Sequence, residues 1–147
     1  MSASSAINTV LDKVVTQLET INGSSSDFYF NIRHSNIIKG WRSMEQLNSY
    51  PAIRVTSPVL TDIRPTDQVT FEGNFILDIY GAVESTKDVL EEGMKLFSDI
   101  ERALLANPEL DSTVWGMSII HVAIEDGEDK AGVLVRVSTM LEYDSSS

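Results

Sequence analysis

The sequence contains no cysteine. A disulfide framework, a thiolate zinc site and thiol redox chemistry are therefore excluded, and a cytosolic setting is compatible with the composition. Histidine is almost as scarce. His34 and His121 are the only two, they fall in different segments, and neither opens a metal-binding spacing such as H-E-x-x-H. A lone strand histidine such as His121 is ordinarily a half-exposed sheet residue, so neither histidine is assigned a role.

The eight glycines are scattered. Neither G-x-x-x-x-G-K nor G-x-G-x-x-G occurs, which removes nucleotide binding by loops that cradle phosphate on backbone amides at a helix N-terminus. The strained G-x-S-x-G turn of a serine nucleophile is also missing, and Gly116-Met117-Ser118 supplies only its middle. No apolar run approaches the roughly 20 residues needed to cross a bilayer. Met1 to Ala6 is polar, with neither the basic nor the apolar region of a secretory signal. The expectation is a soluble protein with no membrane partner.

Positive charge is in short supply: 11 Lys and Arg stand against 22 Asp and Glu, a formal net charge of −11. The deficit is local. Residues 1–64 carry six basic against five acidic side chains, whereas residues 65–147 carry five against seventeen. Such a field repels phosphate backbones and anionic lipid, which disfavours a nucleic-acid binder unless a basic patch overrides it. Acidity also serves solubility alone. What remains is ordinary globular material, 147 residues with 42% hydrophobic and 22% charged side chains, a size expected to form one domain over 1–147.

Ile7, Val10, Leu11, Val14, Val15, Leu18 and Ile21 recur at three- and four-residue steps, which predicts an amphipathic helix from about Ser5 to Ile21. Asn22-Gly23 ends it, with a polar loop through Ser26. Asp27 to Ile32 alternates and reads as a short strand. Arg33 to Tyr50 fits no period and reads as a long excursion with one short strand or helical turn. Pro51 opens a strand at Ala52 to Ser57, and Pro58 to Gln68, with two prolines and two aspartates, reads as a loop.

From Val69 the chain alternates for about eleven residues, with Phe71, Phe75, Leu77 and Ile79 on one side and Glu72, Asn74, Asp78 and Tyr80 on the other. Gly73, on the apolar side, suggests a bulge or a close approach of another element. A second helix follows Glu84, with Ser85 as its cap and Asp88 in its first turn. Val89, Gly93, Leu96, Ile100, Ala103 and Leu104 form its apolar face, with Leu90 and Phe97 alongside, and Asn107-Pro108 ends it. Strands at Thr113 to Glu125 and Gly132 to Tyr143 should make a long antiparallel hairpin. Strands gathered between and after the helices favour an α+β fold, a mixed and mainly antiparallel sheet with two amphipathic helices packed on one face, over a doubly wound parallel sheet.

Composition alone leaves a paired-carboxylate site open. Glu91 and Glu92 are adjacent on a helix and do not face one another, and Glu125, Asp126, Glu128 and Asp129 crowd the hairpin tip without the ordered spacing of a calcium loop. The acidic tip is therefore a solvated turn or a surface for a cationic partner. The basic residues Arg33, Lys39, Arg42, Arg54 and Arg64 gather in the first half beside Trp41 and Tyr50. Arginines among aromatics stack bases or anchor a protein interface, and otherwise form a solvated surface. Overall acidity favours the protein interface, Arg33, Lys39, Trp41, Arg42, Arg54 and Arg64 of one subunit against the acidic second half of another. Such contacts are heterologous and close into rings or grow into filaments. No catalytic residue, metal ligand or cofactor is assigned.

Several segments carry a resemblance to a family: the N-terminal helix, YPAIRV at Tyr50–Val55, FEGNFILDIYG at Phe71–Gly81, DIERALLANPEL at Asp99–Leu110 and VLVRVSTMLEYD at Val133–Asp144. Together the pattern resembles the tail terminator, or tail completion, proteins of long-tailed bacteriophages over nearly the whole chain. The resemblance implies a non-enzymatic structural subunit that forms a homohexameric ring, caps the tail tube, stops its polymerisation and joins it to the head connector or neck proteins. It further implies assembly in the host cytoplasm, residence in the virion tail or neck, and DNA that passes through the lumen unbound. The family offers no motif to carry over residue by residue. Another phage neck or head-completion protein is the nearest alternative, and a small acidic enzyme or ligand-binding domain is the alternative of a different class.

Overall fold

The computed structural model describes residues 3–22, 27–32, 34–39, 51–56, 59–65, 71–84, 89–111, 113–126 and 131–144. Its elements are α1 (Ala3–Leu18), a 3-10 turn at His34–Asn36, β1 (Ile37–Lys39), β2 (Ala52–Val55), β3 (Val59–Pro65), β4 (Phe71–Glu84), α2 (Val89–Leu105), β5 (Gly116–Asp126) and β6 (Ala131–Asp144). The six strands form one mixed sheet in the order β1-β2-β4-β6-β5, with β3 alongside β4. Only β1 and β2 run parallel; the other pairs are antiparallel. The fold is α+β.

Alternation along β4 decides which face is covered. Phe75, Leu77 and Ile79 are fully buried and join Val135, Val137 and Leu141 of β6 in one cluster with Val10, Val14 and Leu18 of α1 and Leu96, Ile100 and Leu104 of α2. Both helices thus lie on one face of the sheet. α1 has no acidic residue in its first turn and no basic residue in its last, so packing of its apolar stripe, with no help from the helix dipole, holds it. It docks on α2, where the Gln17 side-chain amide donates to the Ala103 carbonyl at 2.8 Å.

Several elements differ from their sequence reading. α1 ends at Leu18, and Ile21 remains buried in a turn closed by its amide on the Leu18 carbonyl at 3.1 Å. Asp27 to Ile32 is not a strand: the Tyr29 and Phe30 amides donate to the Asp99 carboxylate and the Ile32 amide to the Ile21 carbonyl, partners that replace a ladder. The expected loop at Pro58 to Gln68 contains β3, which pairs with β4 through a one-residue irregularity between Thr61 and Arg64 and places Pro65 at its end. Prolines at and beyond a strand's ends are compatible with pairing.

β4 runs 14 residues. Gly73 pairs with Tyr143 in an unbroken run on the β6 side, and on the other side the extra residue of β3 falls opposite it, so the expected bulge lies in the neighbouring strand. The close approach occurs at Gly81, where a Cβ would lie 2.6 Å from Leu96 Cδ2 and 3.2 Å from its Cγ. The β5–β6 hairpin forms as expected, with one extra residue, Ile120, in β5. Ser85 and Asp88, read as the start of α2, lie outside the described residues.

Candidate functional site

The helix-free face of the sheet carries a polar ladder. Arg54 of β2, Tyr80 of β4 and Arg136 of β6 stand side by side in register. The Arg54 guanidinium lies 4.6 Å and that of Arg136 5.9 Å from the Tyr80 ring centroid, a cation–π arrangement on both sides of one phenol. One step along, Asp78 receives Arg136 Nη2 at 3.1 Å and the Ser138 hydroxyl at 2.7 Å. The Asp78 charge, with that of Tyr80 next, raises the Arg136 pKa above its ordinary value. Arg54 is thereby ordered against its own sheet, as a rigid, flat cation.

The other basic residues separate. Lys39 sits on β1 beside Val55, on the helix side, and its ammonium reaches Asp12 of α1 at 2.9 Å. It therefore faces away from Arg54, across the sheet. The pair is exposed on both sides, and such surface pairs contribute about 0–1 kcal/mol. Arg64 is a residue of β3 in register with Glu72. Arg33, Trp41 and Arg42 lie outside the described residues, flanking β1 in sequence. Of the acidic tip, Glu125 is exposed on β5 and close enough to Arg136 to raise its pKa, and Asp126 pairs in register with Val133. Glu128 and Asp129 fall outside the described residues.

The strand order gives these charges a geometry. β1, with Lys39, is one lateral edge of the sheet, and β5, with Glu125 and Asp126, is the other. Of the described residues singled out in the sequence, Lys39 thus lies at one edge and Glu125 and Asp126 at the other, while Arg54 and Arg64 belong to β2 and β3.

Two further groups are structural. Asp99 of α2 is 1% exposed and accepts the amides of Tyr29 at 3.0 Å and Phe30 at 2.8 Å. Burial raises its pKa, outweighing the lowering effect of those amides and of Arg102. After α2, Leu110 and Asp111 adopt positive φ of 48° and 57°. Asn107 holds this turn, its Oδ1 accepting the Asp111 amide and its Nδ2 donating to Asp111 Oδ1, while Lys13 of α1 reaches Asp111 Oδ2 at 3.3 Å. Asn107 and then Lys13 hold the Asp111 carboxyl below its ordinary pKa.

Sequence reading missed an apolar strip. Leu90, Met94, Leu105, Trp115 and Ile120 are exposed large side chains on α2 and on or beside β5. The signal was present in the numbering: 90, 94, 97, 101 and 105 follow the steps i, i+4, i+7, i+11 and i+15, a second stripe beside the core stripe 93, 96, 100, 103, 104. Among the described residues, no three His, Asp or Glu side chains gather in a metal-binding group. No protein-family model matches the chain, and comparison with curated proteins returns no match.

Proposed function

We propose that the chain is a structural subunit that assembles side by side into a closed ring, caps the tail tube of a long-tailed bacteriophage, stops its growth and joins it to the head connector. The observation that carries the reading is the strand order: cationic Lys39 at the β1 edge and anionic Glu125 and Asp126 at the β5 edge lie on opposite sides of the sheet. In sequence, Arg33 and Arg42 flank the first edge and Glu128 and Asp129 follow the second. A molecule complementary to itself through two different surfaces makes heterologous contacts, and these close into rings when the rotation per subunit allows it.

The acidity of the second half has a use in such a ring. DNA adheres to protein by exchanging counterions for lysine and arginine, and a lumen poor in cations lets it pass.

Native mass spectrometry tests the reading, alone and in the presence of polymerising tail tubes. A homohexamer of the 16.3 kDa chain is expected near 98 kDa, together with tubes that stop lengthening on its addition. A chain that stays monomeric alone and leaves tube growth unchanged overturns it.

A further inference from the structure

α2 carries more apolar surface than its own sheet uses. Its core stripe, Gly93, Leu96, Ile100, Ala103 and Leu104, is buried. On one flank, Asp99 holds the Tyr29–Phe30 backbone, Lys95 lies over the Tyr29 ring, and the Ala103 carbonyl receives Gln17 of α1. The opposite flank therefore points away from α1, toward β5. There Leu90 is 63% and Met94 53% exposed, with Leu105 exposed and Phe97 half-buried. β5 extends the strip: Ile119 and Ile124 are only partly covered, the bulge residue Ile120 is exposed, and so is Trp115 just before the strand. Of seven exposed large apolar side chains among the described residues, three belong to α2 and two to β5 or the residue just before it. Clustering of that kind marks a contact surface, where scattered single residues do not.

We infer that this α2–β5 strip is the apolar centre of a contact between copies of the chain, and that its occupant is the β1 edge of a second copy. The inference rests on the ring reading above and names the surface through which the ring closes. Charge selects the occupant. Glu101 sits exposed within the stripe, and Glu91 borders it in an ion pair with Lys95 at 3.6 Å. Pairing the strip with its own copy about a two-fold axis would bring carboxylates together, an arrangement that interfaces avoid. The β1 edge is complementary: Lys39 is exposed there, in an ion pair with Asp12 that is itself exposed and readily exchanged for a carboxylate of a neighbour. Strip and β1 edge lie at opposite ends of the strand order, so each copy presents both halves of the contact.

Two variants test the arrangement, the L90E/M94E double variant on the strip and the S35E/K39E double variant at the β1 edge. All four side chains are exposed, so both variants should fold, with circular dichroism and melting temperature near those of the unaltered chain. Each alone is expected to be a monomer of 16.3 kDa where the unaltered chain assembles. Mixed together, they retain one intact strip and one intact β1 edge and should form a heterodimer of about 33 kDa that grows no further. If the unaltered chain assembles and L90E/M94E assembles equally well, the strip is not the contact and the ring reading stands. If each variant is monomeric but the mixture yields no dimer, the head-to-tail pairing is overturned. An unaltered chain that stays monomeric alone and leaves tube growth unchanged removes the ring reading and this inference with it.

Discussion

Asp99 shows how a single side chain substitutes for a strand partner. Its carboxylate takes two consecutive amides from the segment after α1 and so fixes that segment against α2. The cost is a carboxylate withdrawn from water, which is why its pKa is raised. The consequence for stability follows from linkage. Because the folded pKa exceeds the unfolded value near 3.8, the contribution of this group is complete below that pH and is lost as pH rises through the folded pKa. D99N keeps one acceptor oxygen and removes the titration. In urea denaturation, the stability of the unaltered chain relative to D99N should therefore improve as pH is lowered from 7 toward 4. D99A leaves two amides with no acceptor and should cost about 1–3 kcal/mol at pH 7, more than D99N. A pH-independent difference between the unaltered chain and D99N would contradict the assignment.

At the scale of elements, the seating of α2 on β4 depends on the absence of one methyl group. A Cβ at Gly81 would lie 2.6 Å from Leu96 Cδ2 and 3.4 Å from Ile100 Cδ1, and both of those side chains are fully buried. Neither has room to turn aside. The entropic gain of replacing glycine by alanine is about 0.4–1 kcal/mol, and overpacking of a filled core costs about 1–3 kcal/mol. G81A is therefore expected to be net destabilised, with a lower urea midpoint and an unchanged m-value. The same crossing shows what was legible in the sequence. The regular stripe of α1, the alternation of Phe75, Leu77 and Ile79, and the β5–β6 hairpin were readable because each pattern repeats over several turns or residue pairs.

The sequence reading of Asp27 to Ile32 failed because its alternation is real but its hydrogen bonds go to Asp99, 70 residues from Tyr29. β3 was hidden by Asp62 and Pro65 within it, since its pairing is imposed by the free side of β4. Gly73, marked in the sequence, stands opposite the extra residue of β3, whereas the close approach of a helix falls at Gly81, which the local pattern did not single out. Of the candidate site, charge asymmetry was visible in the sequence, but its division between opposite edges required the strand order, and the exposed stripe of α2 was masked by the core stripe beside it.

For the whole molecule, the sheet separates two kinds of surface: a polar, ladder-bearing face opposite the helices, and two lateral edges of unlike charge. The ladder of Arg54, Tyr80, Arg136 and Asp78 holds its own charges in place and leaves the edges as the chemically distinct sides. A lateral edge also exposes the backbone of an end strand, which invites indiscriminate strand addition. The extra residue in β5 bears on this. Before it, Met117 and Ile119 pair opposite Leu141 and Thr139; after it, Val122 and Ile124 pair opposite Val137 and Val135. Odd numbers face the helices on one side of Ile120 and even numbers on the other. Ile120 is thus a phase shift, and a strand arriving at this edge would be in step with one half and out of step with the other. Deleting Ile120 would restore a single phase along all of β5 while leaving every existing β5–β6 pair in register. The deletion variant is expected to accumulate thioflavin-binding aggregates at concentrations where the unaltered chain remains clear. By this logic the edge recognises neighbours through side chains because its main chain is syncopated against imitation.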